Sequence, residues 1–392
     1  VTNGATISNV ALTNASVNGY DSVGTLIGRA KTTLIDNVHA HEVAVGNLSV
    51  GGLIGTLENN SILKRSSARV NVIGVQASGE GATDVTYIGG LVGYLDDSTI
   101  EDSRATGRVY VVNEIGVDGG SIGGLVGSAD GSTIRRSTAS GNVDGGFDND
   151  GNPTGENIGG LVGYANDVTI EDSSTSGSVQ GYKAVGGLVG NLNYYSSITG
   201  SHAMGAVTGD ERVGGLVGYM GDETSIDQSY SESVVEGGIY VGGLVGASVG
   251  TADPRNTISN SYHKTGTVTG NDYVGGLVAS ALNTDISDSY AEGNVISNST
   301  DPEVGVAGGL VGELIDSTIT ESHATGDVTG LTALGGLVGT SFEGVITDSY
   351  ATGNVTATGF EDEDEGIAVG SAGGSVGEMY GGSITGSRAE GK

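Results

Sequence analysis

The 392-residue sequence has no cysteine, three prolines, and only 15 lysines and arginines against 47 aspartates and glutamates. No disulfide can staple the fold, and cysteine usage is silent on redox compartment. A formal net charge of -32 argues against nucleic-acid binding, which needs a basic stripe, and against adsorption to anionic lipid. Its plain consequence is solubility and self-repulsion. Few lysines (5 Lys, 10 Arg) among so many acids also suit a saline habitat. No apolar run approaches the length of a membrane span, so no membrane insertion is expected in this segment. No leader pattern stands at Val1.

What is abundant is glycine, with 74 residues. There is no three-residue period, so this is not collagen. Apolar residues recur in phase with the glycines, so it is not a flexible linker. The recurring unit is Gly89-Gly90-Leu91-Val92-Gly93. Boxes of this kind begin at 24, 51, 89, 123, 159, 186, 214, 242, 275, 308, 335 and 373, at intervals of 27 to 38 residues. Such periods mean stacked units sharing one core. The repeats cover residues 1–392, which reads as a single array domain. It starts and stops in mid-repeat, as a piece excised from something longer.

A second element rides in register with the box. The interval from first Gly to Ile is 11 residues at Gly89 to Ile100 and at Gly335 to Ile346. In the Gly242 copy it stretches to 16, at Ile258. Read with period two, Ser103, Ala105, Gly107 and Val109 share one face, and Arg104, Thr106 and Arg108 the other. The first set is small and constant among copies, hence inside; the second varies, hence outside. Ser103 is matched by Ser66, Ser137, Ser173, Ser201, Ser229, Ser261, Ser289, Ser322, Ser349 and Ser387. A stacked row of hydroxyls can satisfy one another or nearby backbone. A row of nucleophiles would need a base beside each serine, and none recurs. The fold class is therefore all-β: a β-solenoid (parallel β-helix) with about one coil per box and three short strands per coil. The general bias of parallel crossovers predicts a right-handed coil, which the sequence itself does not fix.

The box, followed by Asp-Ser-Tyr-Ala-x-Gly-x-Val at Asp288–Val295 and Asp348–Val355, resembles the GLUG motif family over roughly residues 5 to 392. The resemblance implies secreted or cell-surface proteins, often adhesin-like, with the repeats as a β-helical stalk. It also implies kinship with immunoglobulin-A-cleaving metalloproteases, whose repeats flank a separate zinc-protease domain. That domain is not in this chain: His41-Glu42 is followed by Val45 where a zinc-binding His-Glu-x-x-His helix requires histidine.

Candidate sites are few. The outward residue after the constant serine is His202, Tyr230, Tyr262, Tyr290, His323 and Tyr350, then Arg388, in successive coils. This column is either stacking that stabilises the sheet or a platform for sugar rings or another protein. Insertions at roughly 73–87, 110–121, 144–157, 296–306 and 356–372 would emerge from one corner, as drifted loops or as a binding surface. Asp148, Asp150, Asn152 and Glu156 resemble the start of an oxygen-rich Ca²⁺ loop. The acidic run 361–365 reads as solvated charge. Asn14, Asn47, Asn59, Asn298 and Asn354 begin glycosylation sequons.

Three functional readings follow. The first is a non-catalytic extracellular or cell-surface adhesin or stalk module, binding a glycan or a surface protein. The second is a fibre or sheath subunit assembling with copies of itself through unpaired coil edges. The third is a polysaccharide-acting β-helix enzyme, for which no convergent titratable cluster recurs. Ice binding lacks the paired threonines it would need.

Overall fold

The structure, a computed structural model, describes residues 1–75, 86–112, 120–147, 153–301, 304–358, 360–362, 366–368 and 370–391. The chain divides into two compact units, Val1–Gly205 and Ala206–Lys392. No helix occurs among the described residues, so the glycine-rich, period-two pattern is strand throughout.

Within Val1–Gly205 a representative coil runs through strands Tyr87–Gly89, Val92–Asp96, Thr99–Glu101, Arg104–Ala105 and Val109–Val112. Each lies parallel to its counterpart one coil on. Ile88 stands opposite Ile122, Val92 opposite Val126, Ile100 opposite Ile134 and Val109 opposite Val143. The counterparts form three sheets, so each coil has three sides, and the last three short strands share the third side. Ala206–Lys392 repeats the scheme: Val241 faces Val274, Val245 faces Val278, Ile258 faces Ile286 and Val268 faces Val295. The chain is a parallel β-solenoid in each unit.

The breaks in the third side have local causes. Asp102 takes φ of 48° immediately before Ser103, and Asp172 and Asp348 do the same with 47° and 49°. Arg136, Gln228 and Glu321 hold the same position at 47°, 47° and 49°, so the corner imposes this left-handed turn whatever the residue. The second break falls at Gly107. Where Val70 occupies that position, strand Ser67–Val75 runs nine residues without interruption. A side chain at Gly107 would strike the backbone of Val70 in the neighbouring coil.

The inside and outside assignment holds residue by residue. Ser103, Ala105, Gly107 and Val109 are buried, and Arg104, Thr106 and Arg108 are exposed. Ile100, Ile134, Ile170 and Ile198 form a wholly buried column facing the interior, as do Leu91, Leu125, Leu161 and Leu188. Burying each such side chain is worth about 1.5–3 kcal/mol relative to exposure. The box glycines let the first and third sides approach. A Cβ on Gly90 would lie 3.0 Å from that of Ala105.

The serine row is a backbone ladder. The Ser103 N–H donates to Ser137 Oγ at 3.2 Å, and the Ser137 N–H to Ser173 Oγ at 3.1 Å. In turn Ser137 Oγ donates to the Arg135 carbonyl at 2.9 Å. The same pattern joins Ser261 to Ser289 and Ser289 to Ser322, each at 3.2 Å. Each of these hydroxyls is spent on backbone: it accepts the serine N–H of the preceding coil and donates to a carbonyl two residues before it in its own coil. Replacing Ser137 by Ala strands the buried Ser103 N–H. The expected cost is about 1–3 kcal/mol, measured as a shift of the urea midpoint. A midpoint unchanged by Ser137→Ala would show that the ladder carries no stability.

A second ladder runs at the corner before the third side. The Ser61 N–H donates to Ser98 Oγ and the Ser98 N–H to Ser132 Oγ, both at 3.1 Å. Its trace in the sequence is the serine immediately before Thr-Ile at Ser98, Ser132 and Ser317.

Candidate partner-binding face

The outward column assembles in Ala206–Lys392. Each of its members opens a two-residue strand whose second residue points inward: Tyr230–Ser231, Tyr262–His263, Tyr290–Ala291, His323–Ala324 and Tyr350–Ala351. Parallel register puts Tyr230 beside Tyr262, then Tyr290, His323, Tyr350 and Arg388. Successive ring centroids lie 4.9, 4.7, 5.0 and 4.6 Å apart, with planes within 9° of parallel. The Arg388 guanidinium caps the run, 5.0 Å from the Tyr350 centroid.

This geometry decides what the column can offer. Each inner ring has both faces covered by its neighbours, so the strip presents ring edges and hydroxyls. All five rings are half-exposed. Partial burial raises the phenols of Tyr230, Tyr262 and Tyr290 above their ordinary range, and Glu232 or Glu292 nearby adds to it. These hydroxyls therefore stay protonated and can donate. Burial lowers the His323 imidazole, against the pull of Glu292. The strip is an uncharged, donor-rich edge between carboxylates.

His202 lies in the other unit, half-buried and in register with Ser174. Before it that position holds Ser67, Arg104 and Thr138, so no aromatic run forms there. In Val1–Gly205 the aromatic grouping is instead Tyr87, Tyr94 and Tyr164, at the corner between the first and second sides. Sequence reasoning passed over it. Its signal was tyrosine recurring five residues after the first box glycine, at Tyr94, Tyr164 and Tyr219.

Of the calcium candidates, Asp148, Asp150 and Asn152 lie outside the described residues, as do the central parts of several insertions and the side chains of the acidic run at 361–365. Glu156 opens strand Glu156–Gly159, opposite Lys183. Among the described residues no group of three or more histidines and carboxylates is placed to hold a metal. Of the sequon asparagines, Asn14, Asn59, Asn298 and Asn354 are exposed, while Asn47 is buried at 8% exposure. A folded coil would shield Asn47 from modification.

The family model of the GLUG motif matches residues 84–110, 118–144, 270–296, 305–329 and 330–356. The chain carries GLUG repeats. Each match holds one box together with the serine-bearing third side that follows it, so the motif corresponds to one structural coil. Similar repeats occur in halomucin of Haloquadratum walsbyi, 51% identical over 65 residues, 17% of this chain and 1% of that protein. The immunoglobulin A1 protease of Streptococcus pneumoniae is 34% identical over 106 residues, 26% of this chain and 5% of the protease. That of Streptococcus sanguinis is 32% identical over the same length. The GLUG region therefore corresponds to a small share of much longer proteins. No solved structure matches the chain.

Proposed function

We propose that the chain is a non-catalytic module of an extracellular or cell-surface protein, serving as a stalk or adhesin. The column Tyr230, Tyr262, Tyr290, His323 and Tyr350 is its partner-binding face. The observation that carries this reading is the row of half-exposed, parallel rings held in one line by sheet register. Tyrosine edges with protonated hydroxyls bind well at interfaces, because the ring supplies contact area and the hydroxyl a hydrogen bond. A glycan would meet the hydroxyls along the strip, and a surface protein would meet the ring edges as well. The GLUG repeats and the presence of related repeats in halomucin and the immunoglobulin A1 proteases support a surface module. The serine rows, fully committed to backbone, support the absence of catalysis.

The test is the double variant Tyr262→Ser/Tyr290→Ser. It removes three ring contacts, worth about 0.5–1 kcal/mol each, so the fold should survive with a modestly lower melting temperature. Attachment to a glycan-bearing or protein-bearing surface should fall at least tenfold. Unchanged attachment alongside the lower melting temperature would show that the column only stiffens the sheet.

A further inference from the structure

At the corner between the first and second sides, two residues of each coil meet. One stands two before the first box glycine and the other five after it. Tyr87 and Tyr94 are such a pair, stacked with centroids 5.1 Å apart. One coil on, the pair is Ser121 and Ser128. The next is Asn157 and Tyr164. The serine pair therefore sits between two tyrosine-bearing coils and leaves a notch. The result is an open groove of about 380 Å³, with Tyr87, Tyr94, Asp130, Asn157 and Tyr164 among its walls and Ser128 in its floor.

The charge of this groove is one-sided. Asp130 stands opposite Asp96 in the neighbouring strand, and like charges in that arrangement oppose each other. The Asp130 carboxylate accepts from Asn166 Nδ2 at 2.7 Å, a neutral partner. No lysine or arginine lines the groove among the described residues. Some other carboxylates do have a cation beside them: Lys31 lies 2.8 Å from Glu58, and Arg108 lies 2.7 Å from Asp144. Burial pushes the Tyr94 phenol up to about 12, with Asp96 and Asp130 adding to it. The rings thus remain neutral π surfaces beside a carboxylate that no cation in the groove lining neutralises.

The same corner in Ala206–Lys392 shows what completes such a site. Tyr219 occupies the position of Tyr94 and Tyr164, and its pair-mate is Arg212. The Arg212 guanidinium lies 5.0 Å from the Tyr219 centroid. Arg108 covers Tyr110 in the same manner at 4.7 Å. A cation over a phenol ring is a favourable contact, stronger when a carboxylate is close and water is partly excluded. At Tyr94 and Tyr164 the chain supplies rings and carboxylate but no guanidinium.

We propose that the groove around Ser128 binds a guanidinium group supplied from outside the chain. The planar cation lies against the tyrosine rings and donates to Asp130, as arginine does in bidentate pairs. This site is in Val1–Gly205 and is independent of the tyrosine column in the other unit, so either can fail alone.

The test follows the ring protons of Tyr87, Tyr94 and Tyr164 by NMR at low ionic strength. Titrants are butylguanidinium, the peptide acetyl-Gly-Gly-Arg-Gly-Gly-amide, and the same peptide with neutral citrulline for arginine. Saturable shifts are expected for both guanidinium probes and not for citrulline. Asp130→Asn should weaken binding at least tenfold, and it relieves the repulsion with Asp96, so it should fold. Ser128→Tyr, which fills the notch, should abolish binding. A peptide at least tenfold tighter than butylguanidinium assigns the cation to a partner's arginine. Equal affinity assigns it to a free small guanidinium compound. Absence of saturable shifts, citrulline binding as well as arginine, or Asp130→Asn binding unchanged would each overturn the proposal.

Discussion

Gly124→Ala should destabilise the protein by at least about 3 kcal/mol, near the upper end for an overpacked core position. Gly124 is the second glycine of its box. A Cβ there would strike the carbonyl oxygen of Gly160 in the next coil and lie 3.1 Å from the Ala139 Cβ on the third side. Neither obstacle can swing away. The carbonyl belongs to the next box, and Ala139 is buried at 2% exposure. Relief requires the two sides to separate, which would also unpack Leu125 and Val126 beside the new methyl. Gly4→Ala is the control. Gly4 has φ of 64°, and a Cβ added there would meet nothing within 4 Å, so alanine brings only backbone strain, about 1 kcal/mol. Urea unfolding of the two variants against the parent decides the matter. Equal midpoints would mean that the missing side chain at Gly124 is not what lets the next coil and the third side approach, and their closeness would need another cause.

That contrast also marks what the sequence could and could not reveal. The solenoid was legible because each coil repeats its burial pattern: Ile100, Ile134 and Ile170 are in phase with their boxes, and small residues alternate with polar ones from Ser103 to Val109. The ladder serines were legible as buried, but their partners were not, because a backbone N–H in the neighbouring coil leaves no mark in residue identity. The subdivision of the third side was missed for a similar reason. Its cause is the left-handed backbone just before each ladder serine, at residues as different as Asp102, Arg136 and Glu321, so residue type carries no mark of it. The tyrosine column could be read from spacing alone, since one residue per coil in phase must align. Its mutual face-covering could not, because that depends on side-chain torsion. The groove at Ser128 was invisible for a different reason. It arises from a pair of small residues seven apart, conspicuous only once their neighbours two coils apart are known to be Tyr94 and Tyr164.

The second large effect concerns acid. Lowering the pH from 7 to 4 should destabilise the parent by about 3 kcal/mol more than it destabilises His263→Ala. His263 sits on the inward column that is otherwise small: Ser231 before it, then Ala291 and Ala324. It is 0% exposed, and its Nε2 lies 3.4 Å from the Gly266 carbonyl oxygen. Burial drives the imidazole from 6.5 down to about 4, while the backbone of Gly266 and Ser231 opposes the shift only in part. The folded value is below the unfolded one, so between these limits the unfolded chain takes up a proton that the folded chain refuses. Stability is therefore fully present above about 6.5. It falls as the pH drops through that value and continues to fall until the folded value near 4. Across that window one such group accounts for about 3 kcal/mol. Carboxylates titrating over the same range are common to both proteins and cancel in the difference. Denaturant midpoints at several pH values, parent against His263→Ala, provide the measurement. Parallel curves would mean that the ring is protonated in place or reaches water. The location of His263 gives the result a functional edge. It shares the two-residue strand Tyr262–His263 with a central ring of the proposed partner-binding face. Acid that expels the imidazole from the interior must disturb Tyr262, so attachment through the column should weaken below about pH 5 in the parent and persist in His263→Ala.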